Sequence, residues 1–213
     1  MQIDHFDIRQ NKILAAKSYL DFKTVLLRSN CSKCALCESR THIVPDRGNS
    51  EARVMIIGEA PGENEDRQGK AFVGRAGRLL DQMMKDAGFD TDQDSLIVNV
   101  VKCRPPDNRA PKPEEVKACF PFLARQIELV KPSYILLLGA TAMKHVFPEK
   151  KSFSMASQVG NFFTDPKYPG VECMALFHPA YLLRDPRKKP LMAEHIERFK
   201  RAWRATPPRT FSI

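Results

Sequence analysis

The chain has 213 residues, 43% hydrophobic and 28% charged, with a net charge of +9. That length suits one domain with a sizeable core. No apolar run approaches the roughly 20 residues of a membrane span, and residues 1–7 lack a basic-then-apolar leader, so a cytoplasmic protein without membrane attachment is expected. The positive balance favours phosphate-rich partners through counterion release, although a basic protein without a nucleic-acid partner has about the same prior.

In chain order, residues 8–29 read as an N-terminal helix, with Ile13, Leu14, Leu20, Val25 and Leu26 apolar. This sets a segment, 1–30, before the main domain, 31–213. A cysteine-bearing stretch follows. Residues 53–57 form a short β-branched run, read as a buried strand. Residues 74–87 carry Leu79, Leu80, Met83, Met84 and Ala87 at helical spacing, and Gly88 is a stop. Residues 96–101 give a second strand. Pro113, Glu114 and Glu115 open a helix that runs to Val130, with proline and acids in the first turn. Residues 134–138 give a third strand, 140–146 a short helix and 171–177 a fourth strand. Residues 191–203 close the chain as a helix, with Leu191, His195, Phe199 and Trp203 four apart.

Strands alternating with helices imply an α/β fold: a central four-stranded parallel sheet flanked by helices. Ligands of such folds sit beyond the carboxyl ends of the strands. Residues 58–62 (GEAPG) follow the first strand, Asn99 ends the second, Gly139 ends the third and residues 178–180 (HPA) follow the fourth, so all should converge on one edge.

Six cysteines in a chain without a secretory leader argue against a disulfide framework. Cys31 and Cys34 have the two-residue gap that lets both thiolates face one metal, and Cys37 repeats it. Cys103 follows the second strand, and Cys119 lies inside the next helix. Four thiolates suit zinc or a [4Fe–4S] cluster, and spacing alone does not choose. A thiol redox pair is the third reading. It fits less well, because such motifs sit on a strand-to-helix turn and Cys31 precedes the first strand. Cys173 reads as a small buried apolar residue, and Cys37 is either a spare thiol or a ligand in place of Cys31.

Several longer strings now stand in order: GEAPG at 58–62, GKAFVGRAG at 69–77, NVVKCRPP at 99–106 with Asn108 and Arg109, and HPAYLLR at 178–184. Together they resemble the family 4 uracil-DNA glycosylases from about Cys31 to the end. The resemblance implies a monofunctional enzyme that removes uracil from single- or double-stranded DNA and leaves an abasic site. It also implies a [4Fe–4S] cluster held by Cys31, Cys34, Cys103 and Cys119, with Cys37 outside the pattern, and it fits a monomer. A non-catalytic iron–sulfur or zinc module that binds DNA is the alternative.

Within that resemblance the site residues take roles. The base must flip out of the stack to be reached. An asparagine amide both donates and accepts, so Asn99 suits uracil O4 and N3–H together. Phe72 offers a stacking face. His178 is the donor for O2, where charge develops as the glycosidic bond breaks. Glu59 is the candidate for handling the attacking water. Ala60 stands where the best-known glycosylases of the superfamily have an aspartate. Glu65 matches a position against uracil C5, where bulk rejects the methyl of thymine. Tyr181, Leu183 and Arg184 suit a wedge beside the lesion, and the basic residues 184 and 187–189 suit phosphates. Without the motif context each of these has an ordinary structural reading: a turn asparagine, a core phenylalanine, a strand-end histidine or a solvated charge.

Overall fold

The computed structural model describes residues 12–152 and 154–207. Its centre is a six-stranded sheet: β1 (Arg47–Gly48), β2 (Val54–Gly58), β3 (Ser95–Asn99), β4 (Tyr134–Leu138), β5 (Phe162–Phe163) and β6 (Glu172–Leu176), in the order β1-β3-β2-β4-β6-β5. The inner four strands are parallel, as the sequence implies. Two-residue antiparallel strands, absent from the sequence reading, border them at both edges.

The middles of the inner strands are apolar runs, as suits strands covered on both faces. Successive side chains point to opposite faces. Met55 and Ile57 meet one core with Phe22, Leu26, Phe122 and Leu123, while Val54 and Ile56 meet a second with Leu80, Met84, Ile196 and Phe199. The helices of the first face include α1 (Tyr19–Arg28) and α5 (Pro113–Val130). Those of the second include α4 (Arg75–Asp86) and α9 (Lys189–Ala205). The short helices α2 (Leu36–Ser39), α3 (Glu63–Gln68), α6 (Gly139–Val146), α7 (Met155–Gln158) and α8 (Pro179–Arg184) complete the chain.

The N-terminal expectation needs correction. Residues 8–11 lie outside the described residues; residues 12–14 are helical, and the helix then breaks before α1 begins at Tyr19. Ser18 caps the new start, its hydroxyl accepting from the Asp21 amide at 3.1 Å. Leu20 is 72% exposed and is no part of an apolar face. At the other end Leu191 is 36% exposed, and α9 buries Met192, His195, Ile196 and Phe199 instead. Gly88 ends α4 as expected, in a left-handed conformation (φ +74°).

β2 connects toward β3 on one side, and β4 connects toward β6 on the other. The crevice between β2 and β4 is therefore the point where the winding reverses, the usual place for a ligand in a doubly wound sheet. Among the described residues no helix is long and apolar enough to cross a membrane.

Candidate active site

A cleft of about 510 Å³ opens at the carboxyl edge of the parallel strands. Glu59, Ala60, Glu65, Phe72, Asn99, His178 and Arg184 all line it. The end of β2 is squeezed tightly enough to demand glycine. A Cβ on Gly58 would stand 2.5 Å from both Asn99 Oδ1 and Phe72 Cζ.

Asn99 ends β3 and is 1% exposed, yet neither its Oδ1 nor its Nδ2 has a hydrogen-bond partner. Its backbone is held, since Lys102 Nζ donates to the Asn99 carbonyl at 2.6 Å. An asparagine with a fixed main chain and a bare amide is prepared for a ligand, because leaving buried polar atoms unpaired costs about 1–3 kcal/mol each.

His178 follows β6 and caps α8. Its Nδ1 accepts from the Ala180 amide at 3.1 Å, which leaves the ring proton on Nε2. Burial, and then the positive charge of Arg184, push its pKa down to about 4. At neutral pH the ring is therefore an uncharged imidazole with one N–H to donate. Gly139 gives the strand end room: a Cβ there would stand 3.1 Å from His178 Cβ.

Phe72 is 5% exposed, with its ring centroid 5.9 Å from that of His178. Its backbone is left-handed, φ +53°, a conformation uncommon for a bulky residue. The Glu65 carboxylate accepts from the amides of Gly74 at 2.6 Å and Gly62 at 3.2 Å. It thus braces the loops on either side of α3 while forming part of the cleft wall. Glu59 and Ala60 continue from β2, and the Glu59 carbonyl accepts from the Val101 amide at 3.2 Å.

The residues expected to form a wedge lie on α8. Leu182 is fully buried, and Tyr181 packs its ring 5.7 Å from that of Phe177. Leu183 is partly exposed, and Arg184 is exposed on the cleft. Of the basic run, Arg187 pairs with Asp185 at 2.7 Å.

Two features went unassigned in the sequence. Ala140 and Thr141 form a wall after β4; the strand-end rule pointed there, but residues so small carry no chemical signature. Arg109 also lines the cleft, its guanidinium gripping the buried Glu115 carboxylate at 2.6 and 2.9 Å, which holds that carboxyl below its ordinary pKa.

Cys31, Cys34, Cys103 and Cys119 line one small cavity of about 20 Å³, with Lys102 and Arg40 beside them. Cys37 and Cys173 are not among its lining residues. Burial pushes the Cys103 thiol up to about 12 and Cys119 up to about 11; it also raises Cys34 of the Cys31–Cys34 pair, whereas a reactive redox cysteine has a lowered value. Two donors oppose that burial. The Lys102 amide donates to Cys119 Sγ at 3.3 Å, and Arg40 donates to Cys103 Sγ at 3.5 Å. The Lys102 ammonium is buried without gripping a carboxylate: it donates to a carbonyl. Tetrahedral zinc would need sulfurs about 3.8 Å apart, given Zn–S near 2.3 Å. Among the described residues no three His, Cys, Asp or Glu side chains close on a single ion in this way.

Residues 45–205 match the family model described as the uracil DNA glycosylase superfamily. The chain is 40% identical over 188 residues to a type-4 uracil-DNA glycosylase of Sulfurisphaera tokodaii, covering 86% of this chain and 84% of the relative. It is 40% identical over 181 residues to one of Saccharolobus solfataricus, covering 83% of each. A third, of Thermotoga maritima, is 42% identical over 172 residues, covering 80% of this chain and 88% of the relative.

Proposed function

Because the chain belongs to the uracil-DNA glycosylase superfamily, in its type-4 group, we infer that it excises uracil from DNA, hydrolysing the N-glycosidic bond and leaving an abasic site. The observation that carries this reading is the bare Asn99 amide at the floor of the cleft. Uracil presents O4 as an acceptor next to N3–H as a donor. Asn99 offers Nδ2–H and Oδ1 in the matching order, so one bound base satisfies both orphaned atoms. Cytosine, with a donor in place of O4 and a bare N3, is mismatched with the amide in this orientation and pairs only if the amide turns over.

The nucleotide flips out of the stack to enter, and its ring lies on Phe72. The His178 Nε2–H donates to uracil O2. As the glycosidic bond lengthens, the base gains negative charge and the sugar gains oxocarbenium character. A neutral donor held in place by the Ala180 amide interacts with the developing anion more strongly than with the ground-state carbonyl, so it lowers the barrier. Glu59 orients the water that attacks the sugar, with Ala60 leaving room beside it. Glu65 stands on the C5 side, where a thymine methyl would meet the braced wall. Leu183, with Tyr181 behind it, fills the place the base has left, and Arg184 takes a flanking phosphate.

Cys31, Cys34, Cys103 and Cys119 hold a [4Fe–4S] cluster in this reading. A cubane takes one thiolate at each of its four irons, so these four cysteines would complete its ligation. When bound, the cluster supplies a cross-link between the N-terminal cysteine loop, the segment after β3 and α5. The test of the whole reading uses three oligonucleotides that differ at one position. Base should leave the uracil strand and remain on the cytosine and thymine strands. Equal binding of all three without release would favour a DNA-binding module instead.

A further inference from the structure

Phe72 holds its ring at the cleft in a backbone conformation that a bulky side chain adopts only when its surroundings impose it. Three neighbours shape it. The Phe72 carbonyl accepts from the Arg47 guanidinium at 2.8 Å. The same carbonyl lies over Gly77 of α4, where a Cβ would stand 1.8 Å from it. The ring tip lies against Gly58, where a Cβ would stand 2.5 Å away. Of these, only Arg47 holds the residue by an attractive, directional bond; the two glycines merely leave room.

Arg47 is itself held firmly. Its two terminal nitrogens fork onto the Asp81 carboxylate on α4, one of them also donates to Thr91 Oγ1 at 3.2 Å, and Nε stands 3.1 Å from Asp92. Its side chain is 12% exposed. Its backbone is fixed in β1 by pairing with Ile97 of β3. A planar guanidinium forked on a carboxylate is a rigid prop, and its free edge carries the Phe72 carbonyl.

We propose that Arg47, locked by Asp81, is a positioning residue that fixes the Phe72 ring as the stacking face for the flipped base. Neither Arg47 nor Asp81 lines the cleft, so any effect on base binding passes through Phe72. The proposal rests on the stacking role given to Phe72 above.

The test is a double-mutant cycle on the cluster-loaded protein, with free uracil as one probe and duplex DNA carrying a stable abasic analogue as the other. Phe72→Ala should weaken free uracil by on the order of tenfold or more, the usual worth of a base–aromatic stack. Arg47→Ala should reproduce most of that loss. Arg47→Lys, which keeps a donor but loses the fork, should fall between it and the native protein. The double variant should bind uracil no more weakly than Phe72→Ala alone, because the prop has nothing left to hold. Affinity for abasic DNA should stay unchanged in Arg47→Ala and Arg47→Lys, which a general loss of fold would not allow. If Arg47→Ala does not accumulate as folded protein, Asp81→Asn, which removes the fork's charged partner and leaves only Thr91 and Asp92 to hold the guanidinium, should weaken uracil in the same direction by a smaller factor. The proposal is overturned if Arg47→Ala binds uracil normally, if the two losses multiply in the double variant, or if abasic-DNA affinity falls in step. If Phe72→Ala itself leaves uracil affinity unchanged, the stacking role fails and the prop fails with it.

Discussion

Replacing His178 by alanine removes one donor, the Nε2–H, from a site where negative charge forms. Preorganised donors of this kind are worth about a hundredfold to a thousandfold in the chemical step, or about 2.7–4 kcal/mol. Affinity for uracil-containing DNA should barely change, because ground-state O2 is a modest acceptor and the phosphate contacts remain. The structure also fixes the pH behaviour. With its pKa at about 4, His178 is about 90% neutral at pH 5, whereas an ordinary histidine would be about 3% neutral there. The excision rate under subsaturating conditions should therefore show no His178 inflexion between pH 8 and 5. Stability follows the opposite course. The folded pKa lies below that of the unfolded chain, so the unfolded state takes up this proton first, and stability is lost as pH falls from about 6.5 to about 4. His178→Gln should flatten that slope. Single-turnover rates beside equilibrium binding curves decide the matter. A His178→Ala protein that loses affinity in step with rate, or a native profile that rises as pH falls through 6.5, would refute the neutral-donor role and make Glu59 the first residue to test.

Asn99→Asp should release uracil far more slowly, since a carboxylate cannot donate to O4; undiminished release, measured with the same oligonucleotides, would mean the base lies elsewhere. Purified protein should be brown and carry about four irons, with Cys103→Ser losing the colour while Cys37→Ser and Cys173→Ser keep it; iron analysis and visible absorption read the result, and zinc without iron in anaerobically purified protein would contradict it. Arg184→Ala should weaken DNA binding and make it less steep in salt, because a phosphate contact acts through counterion release; an unchanged salt slope would remove Arg184 from the interface.

The order of the inner strands' elements was legible because buried parallel strands are continuous apolar runs. Runs such as Tyr134–Leu138 coincide with the observed strand ends. The edge strands were not legible: Arg47–Gly48 and Phe162–Phe163 are two residues long and take their identity from their neighbours β3 and β6. The N-terminal helix was drawn too long because apolar spacing continues through Ser18, although a capping serine three residues before Asp21 is itself a start signal. At the site, the strand-end rule located Asn99 and His178. The rule could not show that Glu65 would spend its oxygens on Gly62 and Gly74, which are amides brought together only by the folding of α3. Nor could it show the left-handed turn at Phe72, whose carbonyl accepts from Arg47, 25 residues away.

The central claim is that a bare asparagine amide and a neutral histidine donor make this cleft a uracil-excising site. Its most direct test is free uracil, quantified chromatographically, released with time from duplex and single-stranded uracil DNA by the iron-loaded native protein. Release should exceed one uracil per protein, with abasic strand accumulating in equal amount. Saturable binding of the same DNA with no free uracil would contradict it.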